Sequence, residues 1–258
     1  MKPKKAKHGE AKALRAATAA AAAAAAASSR SRMGLGVYLK EPETFPSSRV
    51  IFHTADFVAI HDLYPKATVH ALLLPRRRDR NLLHPFEALA DDAFRRQVIE
   101  QTARLKRMVA GELRRLVGRD SRADAARQAV LDGEAGPEHP SLLLPPPRLP
   151  EGGRDWEAEV MAGVHAVPSM SHLHVHVLSR DMHSNAVRHR RHYNSFNTPF
   201  FVPLGDIPLA PDDGRRHTGH EGYLRWGMRC WRCGRDFGNR FKELKEHLDG
   251  EFVEWKRE

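Results

Sequence analysis

Imidazole acts as nucleophile, general base or metal ligand near neutral pH, and Ser171-His172-Leu173-His174-Val175-His176-Val177-Leu178 carries one at every second position. An extended chain turns successive side chains to opposite faces. Leu173, Val175 and Val177 can then enter a core while His172, His174 and His176 stand together on the other face. Exposed strand faces usually carry Thr, Lys, Glu or Ser, so this row implies chemistry rather than solvation. Zinc is an alternative for a His-x-His pair, with His165 or Asp181 as the available third ligand.

A second grouping lies near the C-terminus. Cys230-Trp231-Arg232-Cys233 sets two thiols two residues apart, and a following helix presents His247 and Glu251 one turn apart on the same side. That set suits one structural Zn2+, with Phe237 and Leu244 as the minimal core of a finger; an isolated redox pair is the alternative. Gly250 weakens the helix beside Glu251. Arg225, Arg229, Arg232, Arg235, Arg240, Lys242 and Lys245 crowd the module, which suits gripping a phosphate backbone rather than reading bases.

The elements that position these groups follow from pattern. Val50 to His53, Phe57 to His61 and Ala71 to Leu74 read as an antiparallel meander, Leu83 to Val117 as one or two amphipathic helices, and Val160 to His165 as a strand leading to the histidine row. On the helix the apolar positions are Phe86, Leu89, Phe94, Val98, Leu105, Met108 and Leu116. Between residues 118 and 154 the pattern dissolves into Ala, Asp, Gly and Pro, which predicts a disordered insertion. Residues 1–33 form a basic, Ala-rich arm, residues 34–205 a catalytic domain and residues 206–258 a zinc-finger module. The Ala tract is too short to span a bilayer, and two cysteines rule out a disulfide framework. A net charge of +10 favours a polyanionic partner, nucleic acid first.

The stretch His165-Ala166-Val167-Pro168-Ser169-Met170-Ser171-His172-Leu173-His174-Val175-His176-Val177 resembles the histidine-triad family. Residues 38–50, Asp62-Leu63-Tyr64-Pro65-Lys66-Ala67, His192-Tyr193-Asn194-Ser195-Phe196-Asn197 and the terminal module narrow the resemblance to its aprataxin branch, in the fungal form whose finger uses two Cys, one His and one Glu. The resemblance implies an α+β fold, an antiparallel sheet with packed helices, plus the finger. It implies that His174 attacks an α-phosphorus to form a nucleotidyl-histidine, with His172 and His176 flanking it. Lys66 then contacts phosphate, Ser169 donates a hydroxyl, His165 assists the leaving group if charged, and Asp62 holds ribose hydroxyls. Phe52 and Ile60, alternating with Val50 and Val58, suit the wall of an adenine slot, and Ser171 joins the nucleotide contacts. The segment from Leu39 to Arg49 resembles a helix that wedges against a terminal base pair, through Phe45, Pro46, Ser48 and Arg49. His192 and Asn194 supply further phosphate donors.

The implied function is a DNA 5′-adenylate hydrolase that removes AMP from abortive ligation intermediates at nicks, in single-strand-break repair. The implied enzyme is monomeric, is not bound to membrane, and uses zinc for architecture and none for catalysis. Alternatives are a phosphoramidase or dinucleotide hydrolase acting on small nucleotides, a non-catalytic nicked-DNA binding protein, and a His-ligated metallohydrolase. The basic arm points to a nuclear location, with a mitochondrial pool as the competitor.

Overall fold

The structure, a computed structural model, describes residues 31–133, 148–217 and 222–258. The basic arm up to residue 30 and the middle of the Pro-rich segment lie outside the described residues. Six strands, β1 (Val50–His53), β2 (Phe57–His61), β3 (His70–Pro75), β4 (Val160–His165), β5 (Val175–Ser179) and β6 (Phe201–Pro203), form one sheet in the order β1-β2-β3-β5-β4-β6. Every pairing is antiparallel.

Period-2 alternation assigns each face. Phe57, Ala59, Ala71, Leu73, Val175 and Val177 point to one side and form a core with a long helix. Among the described residues four short helices punctuate the catalytic domain: α1 (Val37–Lys40), α2 (Pro85–Ala88), α4 (Ala125–Leu131) and α5 (Arg190–Asn197); the long helix is α3 (Asp92–Val117). α3 starts where the Asp91 carboxylate accepts the Phe94 N–H at 2.9 Å, satisfying one of the unpaired amides of its first turn. Its buried stripe runs through Phe94, Val98, Thr102, Leu105, Val109 and Leu113. Met108 and Leu116, expected in that stripe, fall outside it and are exposed. On the sheet's other side Val58, Ile60, Leu72 and Leu74 meet Leu35, Tyr38 and Leu39, which fixes α1 above β2 and β3.

The histidine row enters the sheet later than its alternation suggests. β5 begins at Val175, while Leu173 donates its N–H to Asn81 O at 2.8 Å, so His172 and His174 lie on an extended lead-in. Leu173 still packs in the same core as Val175 and Val177.

The segment expected to be a disordered insertion is structured on either side of residues 134–147. Asp124 is buried, held by Arg114 at 2.7 and 3.1 Å and by the Trp156 indole N–H at 2.6 Å. Arg154 stacks over Trp156 and Trp255 and donates to the Trp255 carbonyl at 2.6 Å. A polar network, not apolar periodicity, orders this region.

The terminal hairpin, β7 (Met228–Arg229) with β8 (Asp236–Gly238), leads into α6 (Phe241–Lys256). Met228, Cys230, Phe237, Leu244 and Leu248 share one cluster with Ala67, Leu178, Tyr193 and Phe201, and Trp255 joins the core beneath α3. The hairpin is therefore built onto the catalytic sheet. Tyr193 clamps it, donating to Arg229 O at 2.8 Å and accepting from Trp231 N–H at 2.9 Å.

Candidate active site

Opposite α3, the sheet faces a cavity of about 470 Å³ that reaches the histidine row. His70, His165, His174 and His176 line it together. His176 is the hub, its ring centroid 4.3 Å from His165, 4.8 Å from His174 and 5.2 Å from His70. Strand register explains the grouping: Gly163 and Leu72 lie opposite His176, so His165 and His70 project to the same face from the neighbouring strands.

Hydrogen bonds dictate which ring nitrogens are free. The His174 Nδ1 lies 2.7 Å from His172 O, and a carbonyl can only accept, so the His174 proton sits on Nδ1 and Nε2 keeps a lone pair. At His70 the logic runs the other way. The Lys66 amide donates to His70 Nδ1 at 3.1 Å, which leaves the proton on Nε2 to donate to His176 Nδ1 at 3.0 Å. His176 then carries its own proton on Nε2, a buried nitrogen with no hydrogen-bond partner among the described residues. One imidazole thus presents an electron pair and its neighbour an N–H.

Burial holds these rings neutral. It pushes His174 and His176 below the usual imidazole range, His70 down to about 4 and His165 down to about 3. For His165 the neighbouring His174 adds to the burial effect, only partly offset by a hydrogen bond with the Ser195 backbone. His165 is therefore uncharged in the free cavity at neutral pH, and an arriving phosphate must raise it before it can deliver a proton.

The cavity's walls divide by chemistry. Lys66, Arg49 and Arg191 bring positive charge, His189 and His192 imidazole rings, Ser169 a hydroxyl and Asp62 a carboxylate. Burial lowers Lys66, opposed by the Asp62 charge. Leu35, Tyr38, Ile60, Leu72 and Met170 supply an apolar wall large enough for a planar base. Asp62 accepts the Tyr64 N–H at 2.7 Å with one oxygen and lies 3.6 Å from His70 Nε2 with the other. Thr68 and Ser179 hold Asp181, which also accepts the His183 N–H at 2.8 Å. Asp181 thus braces the turn between Lys66 and His70 and is no ligand for the histidine row.

Several expected site residues stand elsewhere. His172 is absent from the cavity: its ring packs against Gly36, where an added Cβ would come within 2.8 Å, and faces a separate hollow with Ser171 and His84. It serves the site through its carbonyl. Ser171 accordingly leaves the nucleotide contacts. Phe52 does too, because a β-bulge between Val50 and Phe52 resets the alternation and turns its ring to the α3 side, beneath Arg104. Asn194 is buried and donates to Trp226 O at 2.8 Å, holding the 222–226 loop instead of a phosphate. Phe45 packs against Tyr38 at a tilt, ring centroids 4.7 Å apart, Arg49 donates to the Tyr38 hydroxyl at 2.9 Å, and Ser48 is exposed beside them. His192 remains at the rim, lowered to about 4 by burial and His189.

The finger quartet also assembles. Single donor atoms from Cys230, Cys233, His247 and Glu251 lie within 4.8 Å of one another, with His247 Nε2 at 3.2 Å from Cys233 Sγ and 3.1 Å from Glu251 Oε1. Two thiols, an imidazole and a carboxylate at this spacing fit tetrahedral zinc. Arg232 is committed here: it pairs with the second oxygen of Glu251 at 2.6 Å and with Glu258, orienting a ligand instead of waiting for phosphate. Arg229 and Lys242 are exposed, in looser pairs with Asp236 at 3.4 Å and Glu246 at 3.8 Å, and Lys245 reaches Ser184 O at 3.1 Å.

Sequence reasoning missed His70, Leu35, Tyr38, His189 and Arg191. A histidine heading a continuous apolar run (Ala71 to Leu74), four positions after Lys66, was the available signal for His70.

The HIT domain family matches residues 44–183, and the C2HE / C2H2 / C2HC zinc-binding finger matches residues 197–254. An aprataxin-like protein of Schizosaccharomyces pombe is 30% identical over 223 residues, covering 86% of this chain and 81% of its own length. One from Saccharomyces cerevisiae is 30% identical over 217 residues, 83% and 93% of the respective lengths. The crystal structure of the aprataxin orthologue Hnt3 in complex with DNA superimposes with a TM-score of 0.63 at 25% identity, covering 87% of this chain and 96% of that one.

Proposed function

Because this chain belongs to the HIT family, in its aprataxin-like branch, we propose that it is a DNA 5′-adenylate hydrolase, acting on the AMP left at a nick by failed ligation. The observation that carries the reading is the fixed His174 tautomer, whose Nε2 lone pair lies in a cavity rimmed by cations. Nε2 attacks the α-phosphorus of the adenylate. The N–P bond forms as the bond to the DNA 5′-phosphate oxygen breaks, leaving AMP on His174.

Negative charge that grows on the nonbridging oxygens meets the His176 Nε2–H, the Ser169 hydroxyl and the Lys66 and Arg49 cations. The leaving 5′-phosphate takes a proton from His165, which the anion has made basic, or from solvent. Water then cleaves the N–P bond and releases AMP. Tyr38, Ile60 and Leu72 hold the base, and Asp62 the ribose. These side chains suffice for the reaction without a catalytic metal. The finger's zinc, on Cys230, Cys233, His247 and Glu251, keeps the hairpin in place while Arg229, Lys242 and Lys245 approach the duplex.

Adenylated nicked duplex, incubated with the protein and sized on a denaturing gel, tests this. The expected product is one AMP shorter and carries a 5′-phosphate; an adenylated strand left intact at stoichiometric enzyme would refute the assignment. Truncating the finger is a poor control, because it would bare Leu178, Tyr193 and Phe201. Each such side chain is worth about 1.5–3 kcal/mol. Arg229→Gln with Lys242→Gln serves better: turnover of duplex falls while that of a small adenylate holds. Equal loss on both would favour a small-nucleotide hydrolase. We further assign the protein to the nucleus from its basic arm, and propose that it acts as a monomer; a fluorescent fusion lacking residues 1–30 checks the first and light scattering the second.

A further inference from the structure

The alternating histidines bring no third metal ligand of their own, yet the fold supplies one from β2's end and another from β3. Asp62, His70 and His176 each present one donor atom toward the same cavity, all within 4.8 Å of one another. His70 Nε2 stands 3.0 Å from His176 Nδ1 and 3.6 Å from Asp62 Oδ2. Tetrahedral zinc with bonds of about 2.0–2.1 Å needs edges of roughly 3.3–3.4 Å between its ligands. The two observed separations bracket that edge. We infer that Asp62, His70 and His176 form a second zinc site, distinct from the finger, whose fourth position opens into the nucleotide cavity.

The donor set chooses the ion. Two imidazole nitrogens and one carboxylate favour zinc over magnesium or calcium, which prefer all-oxygen shells. Three protein ligands with one open position make an exchangeable site, unlike the closed quartet of the finger. Binding also has a defined proton cost. Zinc on His70 Nε2 displaces the proton that bridges to His176 Nδ1, and that proton moves to His70 Nδ1 at the expense of the hydrogen bond from the Lys66 amide. His176 keeps its proton on Nε2 and coordinates through Nδ1.

Lys66, Arg49 and Arg191 share the cavity and oppose a cation, against a single carboxylate. The site is therefore weaker than the finger, which holds two thiolates. Zinc here also takes the carboxylate that the proposed reaction assigns to ribose and clamps the ring beside His174. Its effect is to exclude the nucleotide, so the ion acts as an inhibitor.

The test uses full-length protein carrying one zinc per chain in its finger, titrated with Zn2+ at buffered free concentrations by calorimetry and metal counting. Wild type is expected to take one further equivalent. Asp62→Asn and His70→Gln each weaken it at least tenfold while the finger zinc and the thermal transition stay in place. Cobalt in the second site is expected to lack the thiolate charge-transfer band shown by cobalt in the finger. AMP, at concentrations its own titration shows to fill the cavity, weakens the second equivalent. No second equivalent in wild type, or one retained at full affinity by both variants, overturns the site. A second equivalent indifferent to bound AMP overturns the exclusion. None of these readouts uses adenylated DNA, so failure here is separable from failure of the proposed reaction.

Discussion

His165 offers the most quantitative test of how this cavity is built. Its ring lies among Phe196, Phe200 and Phe201, with centroids 4.8, 5.2 and 6.4 Å away, and burial lowers its pKa from 6.5 to about 3. Above pH 6.5 neither folded nor unfolded chain protonates this ring, and it imposes no penalty. As pH falls below 6.5 the unfolded chain takes up a proton that the folded chain refuses, so stability is lost until about pH 3. Integrated from pH 7 to pH 5, the loss from this one ring is about 2 kcal/mol. His165→Phe keeps an aromatic ring in an aromatic nest and removes the proton site. Urea denaturation of both proteins at pH 7, 6 and 5 reads the difference, with other titrations, the finger's included, common to both. The variant is expected to gain about 2 kcal/mol on wild type across that interval. A gap that stays constant with pH would refute the claim that His165 is held neutral by burial.

His174→Ala removes the proposed nucleophile: turnover of adenylated duplex should fall by about 10³-fold or more, with affinity by fluorescence anisotropy within roughly twofold. Cys230→Ser takes away a metal ligand that is also buried in the shared cluster, so metal counting should show the finger zinc lost and calorimetry a melting point lower by roughly 10 °C. Gly163→Ala would drive a Cβ to 2.4 Å from Val202 O and 2.8 Å from the Phe201 ring, costing about 1–3 kcal/mol in urea denaturation through the β4–β6 pairing. Asp124→Asn strips charge from a buried carboxylate bound by Arg114 and Trp156 and should cost about 3 kcal/mol in the same assay while the finger keeps its zinc.

The parts of this molecule visible in the sequence are those governed by local period. Alternation placed Leu173, Val175 and Val177 in the core, and Cys-x-x-Cys with a one-turn His/Glu pair located the finger quartet. Where pairing across the chain decides the outcome, local pattern fails. His70 matters because it lies 3.0 Å from His176, a partner 106 residues away. Phe52 changes face through one bulge that leaves no trace in composition. Asn194 and Arg232 are polar, which suggested surface contacts, yet each is spent on an internal partner. Residues 118–133 lack an apolar rhythm because Asp124 and its indole and guanidinium partners do the ordering.

Tyr193, Phe201 and Leu178 touch both the nucleotide-facing sheet and the hairpin that carries Cys230. A newly made polypeptide short of its ion would present these surfaces to proteases and chaperones rather than persist as a catalyst with a poor grip. The amount of working enzyme would then follow zinc supply, and loss of either half would remove both.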